Sequence, residues 1–422
     1  MSHEHDAILK DIAGKLPVLP NRRKRMIWMV CMGLGVIAFA FLLFTEPRRA
    51  WGSYAINTYY FLGIAMGGIV LSAAVRLCNG RWGGPIQRIG ESLSSFLPFG
   101  IGLMVVFLAA GIWSYLQWTQ GVGMLPHQKP FLNVPFLWIR TIGGLTLIWW
   151  LARRIVRVSL RRDAQLLLPH IAPELRADYE KLAANWKGEE QEIASERHEM
   201  AHLSPQIVVA FVSIFSVMAW DFIMAITPTW VSALFGWYCY AGAFLTGVCM
   251  TTFVAAQVRA KYRLEAYITP NHFWDIGKVI FSFCIFWVYL FWSQYLPIWY
   301  ANMPEETWWV FIRFEQPWRP FAFTVFFLIF LIPFFGLMNK TTKSSPFWIT
   351  IFTLIVMTGV WLERHVLVMP SLHPESVWIG LPEVGVTLGF MGIFGWAVQS
   401  FLTKYPAVRV VDALAAGGGH GH

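Results

Sequence analysis

Ten runs of roughly 20 apolar residues divide this chain, and an α-helix of that length crosses a hydrocarbon core about 30 Å thick. They fall near 26–44, 55–77, 94–116, 134–152, 206–226, 231–255, 273–293, 320–338, 346–362 and 383–402. The expected fold is all-α integral membrane, with about ten transmembrane helices. Charge then sets the orientation. With a cytoplasmic N-terminus, only seven of the 33 Lys and Arg residues fall outside: Arg48, Arg49, Lys129, Arg140, Arg313, Arg319 and Arg364. Cations are retained on the cytoplasmic side during insertion, so both ends are expected there.

The chain is 56% hydrophobic and 14% charged, against about 25% charged for a soluble domain. A net charge of +9 would point to nucleic acid in a soluble protein. Here the cytoplasmic bias accounts for it, together with contacts to anionic membrane lipid, and no nucleic-acid partner is expected. No cleavable signal peptide is expected, because the first 25 residues are polar and the first apolar run is long enough to remain an anchor. Tryptophans near span ends (Trp118, Trp138, Trp149, Trp150, Trp299, Trp308, Trp309) read as interfacial belts.

The five Cys residues form no CxxC or CxxCH, so neither a cluster site nor covalent haem attachment is encoded. None of the 11 His residues sits near the middle of a span, which argues against axial haem ligation. His198-Glu199-Met200-Ala201-His202 matches HExxH, a zinc-binding spacing, yet it lies in a charged stretch before Pro205 with no third ligand in view. A solvated helix end is the alternative, and no metal site is expected. The tail GGGHGH over 417–422, with His3 and His5, reads as disordered sequence able to bind adventitious metal. The charged 153–205 segment reads as a cytoplasmic helical hairpin. Gly63/Gly67 and Gly385/Gly389 have the four-residue spacing that lets helices approach closely.

An ionisable side chain within the hydrocarbon costs at least ~2.5–3.5 kcal/mol on insertion scales, so each one needs a reason. Asp221, in the outer half of the fifth span, is either a proton carrier and acceptor for a quinol hydroxyl or a structural acceptor. Arg140 near the outer end of the fourth span is either its partner or a snorkelling cation. Glu363-Arg364-His365 closes the ninth span at similar depth, and with Asp221 it offers a proton-transfer set of Asp221, Glu363 and His365. Tyr289, Gln294 and Tyr295 add polar groups, so Arg140, Asp221 and Tyr295 form the expected quinol contacts. On the inner side Glu91, His272, Asp275 and Lys278 mark an expected proton path, although Asp275 and Lys278 at i, i+3 also suit a surface ion pair.

Three blocks carry a resemblance: MAWDFIMAITPTWVSALFGWYCYAGAFLTG (218–247), WDIGKVIFSFCIFWVYLFWSQYLPIWYANMPEETWW (274–309) and VLVMPSLHPE (366–375). They resemble the ActF-type membrane subunits of alternative complex III, within the NrfD/PsrC-like family. The resemblance covers about 50–405 and implies a bacterial quinol:cytochrome c oxidoreductase of the inner membrane. It also implies two four-helix bundles plus two flanking helices. The corresponding division is a tail over 1–25, a flanking helix over 26–50, bundles over 51–228 and 229–370, an outer loop and flanking helix over 371–405, and a tail over 406–422. Implied partners are an iron–sulfur protein, a multihaem cytochrome and a related NrfD-like membrane subunit. No covalent cofactor is implied, with quinone or menaquinone as the ligand.

Two stretches depart from the family pattern. Asn271-His272-Phe273-Trp274 replaces an acidic–aromatic–His pattern, and Thr227-Pro228-Thr229-Trp230 replaces one resembling DPHW. Both remove titratable groups. The expected function is a subunit contributing a quinone pocket, a proton-translocation path, or both. A structural or assembly subunit of the same complex is the alternative, and an independent secondary transporter ranks third.

Overall fold

A computed structural model describes residues 3–16 and 22–417, so the expectation for the GGGHGH tail lies mostly outside the described residues. Every regular element described is helical. Ten helices are long and apolar enough to span a membrane: Arg25–Thr45, Pro47–Leu77, Gly84–Tyr115, Val134–Leu167, Glu189–Ile226, Phe235–Tyr262, Pro270–Ala301, Arg319–Gly336, Pro346–Leu372 and Leu381–Lys404. They are called the first to tenth spans. The chain is a multi-pass membrane protein. The helix His3–Gly14 packs on the helix Val410–Gly417, placing both ends on one face, called here the basic face.

Several helices outrun their apolar windows. The fourth span continues 34 residues to Leu167, about 50 Å at 1.5 Å per residue, and so projects well beyond a hydrocarbon core. The fifth starts at Glu189. The 153–205 segment is thus two helical extensions bridged by the helix Pro173–Ala183, not a hairpin set apart from the spans. Arg161–Glu192 (2.9 Å), Arg162–Glu196 (3.0 Å) and Arg154–Glu199 (3.1 Å) join the extensions. Glu199 of the HExxH match is therefore engaged by an arginine. His198 and His202 are exposed, with ring centroids 4.7 Å apart. Among the described residues, no group of three or more His, Cys, Asp or Glu side chains converges to hold a metal.

The second span packs on the third and fifth, and the fourth on the third and fifth, closing one ring of four helices. The sixth to ninth spans close a second ring in the same way. The rings meet where the second span lies on the sixth and ninth, and these central helices are buried accordingly: 83% of the second span's apolar window and 78% of the sixth's, against 11% of the first's. Small residues permit the contact. A Cβ on Gly67 would stand 2.8 Å from the Ala243 carbonyl oxygen and 3.0 Å from Gly247 Cα. The first and tenth spans pair at the periphery, where a Cβ on Gly389 would come 2.7 Å from Gly35 Cα. Two tryptophans expected in the interfacial belt are instead core residues, Trp118 and Trp309, whereas Trp150 and Trp299 are exposed.

Candidate functional site

Asp221 stands one residue before the end of the helix Glu189–Phe222, and Arg140 faces it from the fourth span. The guanidinium grips the carboxylate with two bonds, Nε to Oδ2 at 2.8 Å and Nη2 to Oδ1 at 2.5 Å. Its remaining arm donates to the Phe131 carbonyl at 2.6 Å, and its carbon lies 4.0 Å from the Phe131 ring centroid. Both carboxylate oxygens are used. Of the two readings of Arg140, the structure has the partner rather than the snorkelling cation.

Glu363-Arg364-His365 does not end the ninth span. The helix continues seven residues past His365 to Leu372, about 10 Å further, and all three side chains are buried. Apolar residues follow them, so the helix has no reason to stop there. Glu363 Oε1 accepts from Trp287 Nε1 at 2.8 Å, and Oε2 is 3.4 Å from Arg364 Nη1 without a hydrogen bond. Arg364 Nη2 donates to the Cys239 carbonyl at 2.8 Å. Its place depends on Gly242, where a Cβ would stand 2.8 Å from the same Nη2. Arg364 is therefore a buried cation between the rings rather than one of the outer-loop cations.

His365 points elsewhere. Successive side chains on a helix are about 100° apart, so residues 363 and 365 leave on nearly opposite sides. Its Nδ1 donates to the Trp361 carbonyl at 3.0 Å, and its Nε2 has no hydrogen-bond partner on the side of the tenth span, where Glu383 lies. Glu383 is itself bound to Arg49 through Nε at 2.5 Å and Nη2 at 3.1 Å. Glu363 and His365 therefore face different neighbours, and His365 is fully buried.

Glu363 instead borders a cavity of about 260 Å³ inside the second ring, on the side away from the basic face. The seventh span lines it with Trp287, Phe291, Gln294, Tyr295 and Ile298, one stripe at helical spacing. Trp287, Phe291 and Tyr295 stack in a ladder with centroids 5.9 and 6.2 Å apart. Tyr238, Arg313, Phe314 and Phe323 complete much of the wall, and Phe323 is 46% exposed towards the lipid side. Arg140 and Asp221 are not in the wall, so the expected trio separates: Tyr295 belongs to this cavity and the other two to a self-satisfied pair.

The far end of the cavity is closed by a stack. Trp230 and Trp309 lie face to face at 3.8 Å, and the Arg313 guanidinium carbon sits 3.4 Å from the Trp309 centroid. Arg313 is buried, with Nη1 donating to the Trp309 carbonyl and Nη2 to the Leu367 carbonyl and Ser371 Oγ, each at 2.6 Å. Burial pulls its pKa down from the ordinary arginine value, and these three acceptors offset the loss of water. Glu363 Oε2, Gln294 Oε1, Arg313 Nε and Trp309 Nε1 are buried lining atoms without a hydrogen-bond partner. A dry cavity of about 150 Å³ already holds benzene, so this space accommodates a substituted ring whose polar substituents meet those atoms. Sequence reasoning assigned no cavity role to Tyr238, Trp287, Trp309 or Arg313, although Trp309 was expected in the interfacial belt and Arg313 among the outer cations; the stripe spacing 287/291/294/295/298 was a usable signal.

On the basic face the four expected path residues fall into two groups. Glu91 is fully buried, accepting from Ser72 Oγ (3.1 Å) and Arg76, with Arg88 Nη1 at 3.2 Å from its other oxygen. Arg88 also binds Asp163 at 2.6 Å. Separately, Lys278 pairs with Asp275 at 2.6 Å, and His272 Nδ1 accepts from the Thr269 amide at 3.0 Å. Asp275 and Lys278 thus form the helix-surface pair their spacing allows. Comparison with known proteins finds no matching family model and no matching curated relative.

Proposed function

We propose that this chain is a membrane subunit of a quinol:electron-acceptor oxidoreductase, with cytochrome c as the acceptor class, and that the second ring holds the quinol head. One observation carries the reading. All three sequence blocks that resemble the ActF-type, NrfD/PsrC-like subunits contribute to the wall of a single cavity: Tyr238 from the first, Trp287 to Trp309 from the second, Val366 and Leu367 from the third. Beside them Glu363 presents an oxygen that contacts Arg364 at 3.4 Å but accepts no hydrogen bond.

Oxidation of a quinol to a quinone releases two electrons and two protons. Glu363 Oε2 takes the two hydroxyl protons in turn as general base, giving the first up to water before it takes the second, while Trp287 holds the opposite oxygen and fixes the carboxylate's orientation. Gln294 and Tyr295 are positioned to contact the second ring oxygen. The electrons pass to iron–sulfur and haem groups of partner subunits, since no redox group of this chain's own is implied. The partly exposed Phe323 side gives a lipid-soluble ubiquinol or menaquinol a route from the bilayer of a bacterial inner membrane. In this reading the first ring, whose Asp221 is fully paired, is scaffold.

The test is quinol oxidation by the purified complex carrying Glu363→Gln, with assembly checked by subunit content. Loss of turnover on the order of 10²-fold in an intact complex is expected. Turnover within twofold of wild type would sink the assignment and favour a structural subunit.

A further inference from the structure

On the basic face, the start of the seventh span meets the short helix Lys340–Ser344 that links the eighth and ninth spans. Together they gather three ammonium groups. Lys278 Nζ lies 4.2 Å and Lys340 Nζ 4.5 Å from the Trp274 ring centroid, so both cations share one indole. Lys343 is only 9% exposed, its stem packed where a Cβ on Gly277 would stand 3.0 Å from its Cγ. Its Nζ lies 5.3 Å from the Phe281 centroid and bonds to no carboxylate. Among the described residues, Asp275 is the one acidic partner in the group, and Lys278 occupies it. Three cations therefore face one anion.

The Lys343 stem is packed away while its ammonium reaches the surface beside a like charge and without an acidic partner. Burial, and then the like charge of Lys278, pull the pKa of Lys343 below the ordinary lysine value. An added anion would relieve both penalties. The surroundings say which anion. Phe281 stacks on Phe334 at 5.5 Å, the adjacent Phe335 is 66% exposed, and Met338, Phe347 and Trp348 are 59%, 66% and 50% exposed. This apolar rim adjoins the lysines at the level where headgroups meet acyl chains. We infer that Lys278, Lys340 and Lys343, with Trp274, bind the phosphate of an anionic phospholipid in the leaflet at the basic face, its acyl chains lying on the rim.

Native mass spectrometry of the full chain in detergent tests this, with phosphatidylglycerol and phosphatidylcholine of matched chains as probes and inorganic phosphate as competitor. Wild type is expected to retain phosphatidylglycerol preferentially. Lys340→Gln and Lys343→Met should each weaken that retention about fivefold, from the typical contribution of one lysine near a charged surface. Lys340 is exposed, so its variant folds and decides the matter even if Lys343→Met does not. Equal retention of the two lipids, or unchanged phosphatidylglycerol retention in Lys340→Gln, would overturn the site. Displacement by millimolar inorganic phosphate would make it a free-phosphate site and overturn the lipid assignment.

Discussion

At the scale of single residues, Asp221 and Glu363 show how far a carboxylate's meaning depends on its partner. In sequence both are acidic groups in apolar surroundings, and Asp221 looks the more isolated. Its partner Arg140 lies 81 residues away, and a cation at a span end reads equally well as a snorkelling side chain. Folding makes Asp221 the satisfied group and leaves Glu363 Oε2 with an ion-pair contact to Arg364 but no hydrogen bond. Replacing Asp221 with Asn strands a buried guanidinium, so we expect a loss of about 3 kcal/mol or more in detergent unfolding, while folded protein keeps its quinol turnover. The double variant Asp221→Asn, Arg140→Met should regain most of that stability. If the single variant loses turnover without losing stability, Asp221 is chemical after all. Trp287→Phe tests the other carboxylate. It removes the donor to Glu363 Oε1, and a hydrogen bond to a charged group contributes ~1.5–3 kcal/mol, so kcat/KM should fall about tenfold or more in an assembled complex. An unchanged kcat/KM would mean that Glu363 needs no orienting partner.

At the scale of helices, the ten apolar cores were legible because lipid allows few substitutes for a run of about 20 apolar residues. Their ends were not. A charged but helix-forming sequence such as 153–167 continues the fourth span into water, where nothing in the hydropathy marks it as helix. The same blindness shortened the ninth span, since Glu363, Arg364 and His365 together look like a loop. Close packing was better marked: Gly63/Gly67 and Gly385/Gly389 both sit at tight crossings. The contact of the first and tenth spans gives a paired test. Gly389→Val forces a side chain against Gly35 and should cost about 1–3 kcal/mol in thermal unfolding. Gly33→Val, with nothing within 4 Å, should stay within about 0.5 kcal/mol of wild type. Equal effects would mean that the first span's contact with the tenth contributes little to stability.

At the scale of the whole molecule, polar groups divide between the two faces. Near the basic face they neutralise one another across distant segments: Arg88 binds Asp163, Arg76 binds Glu91, and Arg409 joins Glu196 at 2.7 Å and Gln87 at 3.1 Å. This network ties the second, third, fourth and fifth spans to the chain just beyond the tenth. Sequence alone shows only a surplus of cytoplasmic cations there, because pairing over such separations is decided by the packing of the rings. Buried atoms without a hydrogen bond occur in both places, Glu91 Oε2 and Arg88 Nε near the basic face and Glu363 Oε2 and Gln294 Oε1 in the second ring, but only the latter pair borders the cavity described above. Charges packed against one another hold a shape, whereas polar atoms on a cavity wall can serve a ligand. That contrast makes Glu91 the sharpest test of an inner-side proton path. Glu91→Gln leaves Arg76 and Arg88 short of a counter-charge in a fully buried site, so the expected result is a stability loss of about 3 kcal/mol or more. Protons released per quinol in liposomes should stay at the wild-type value for the protein that remains folded. A normal unfolding midpoint with a reduced proton yield would reverse this assignment, because only a residue that exchanges protons during turnover can change the yield without changing the fold.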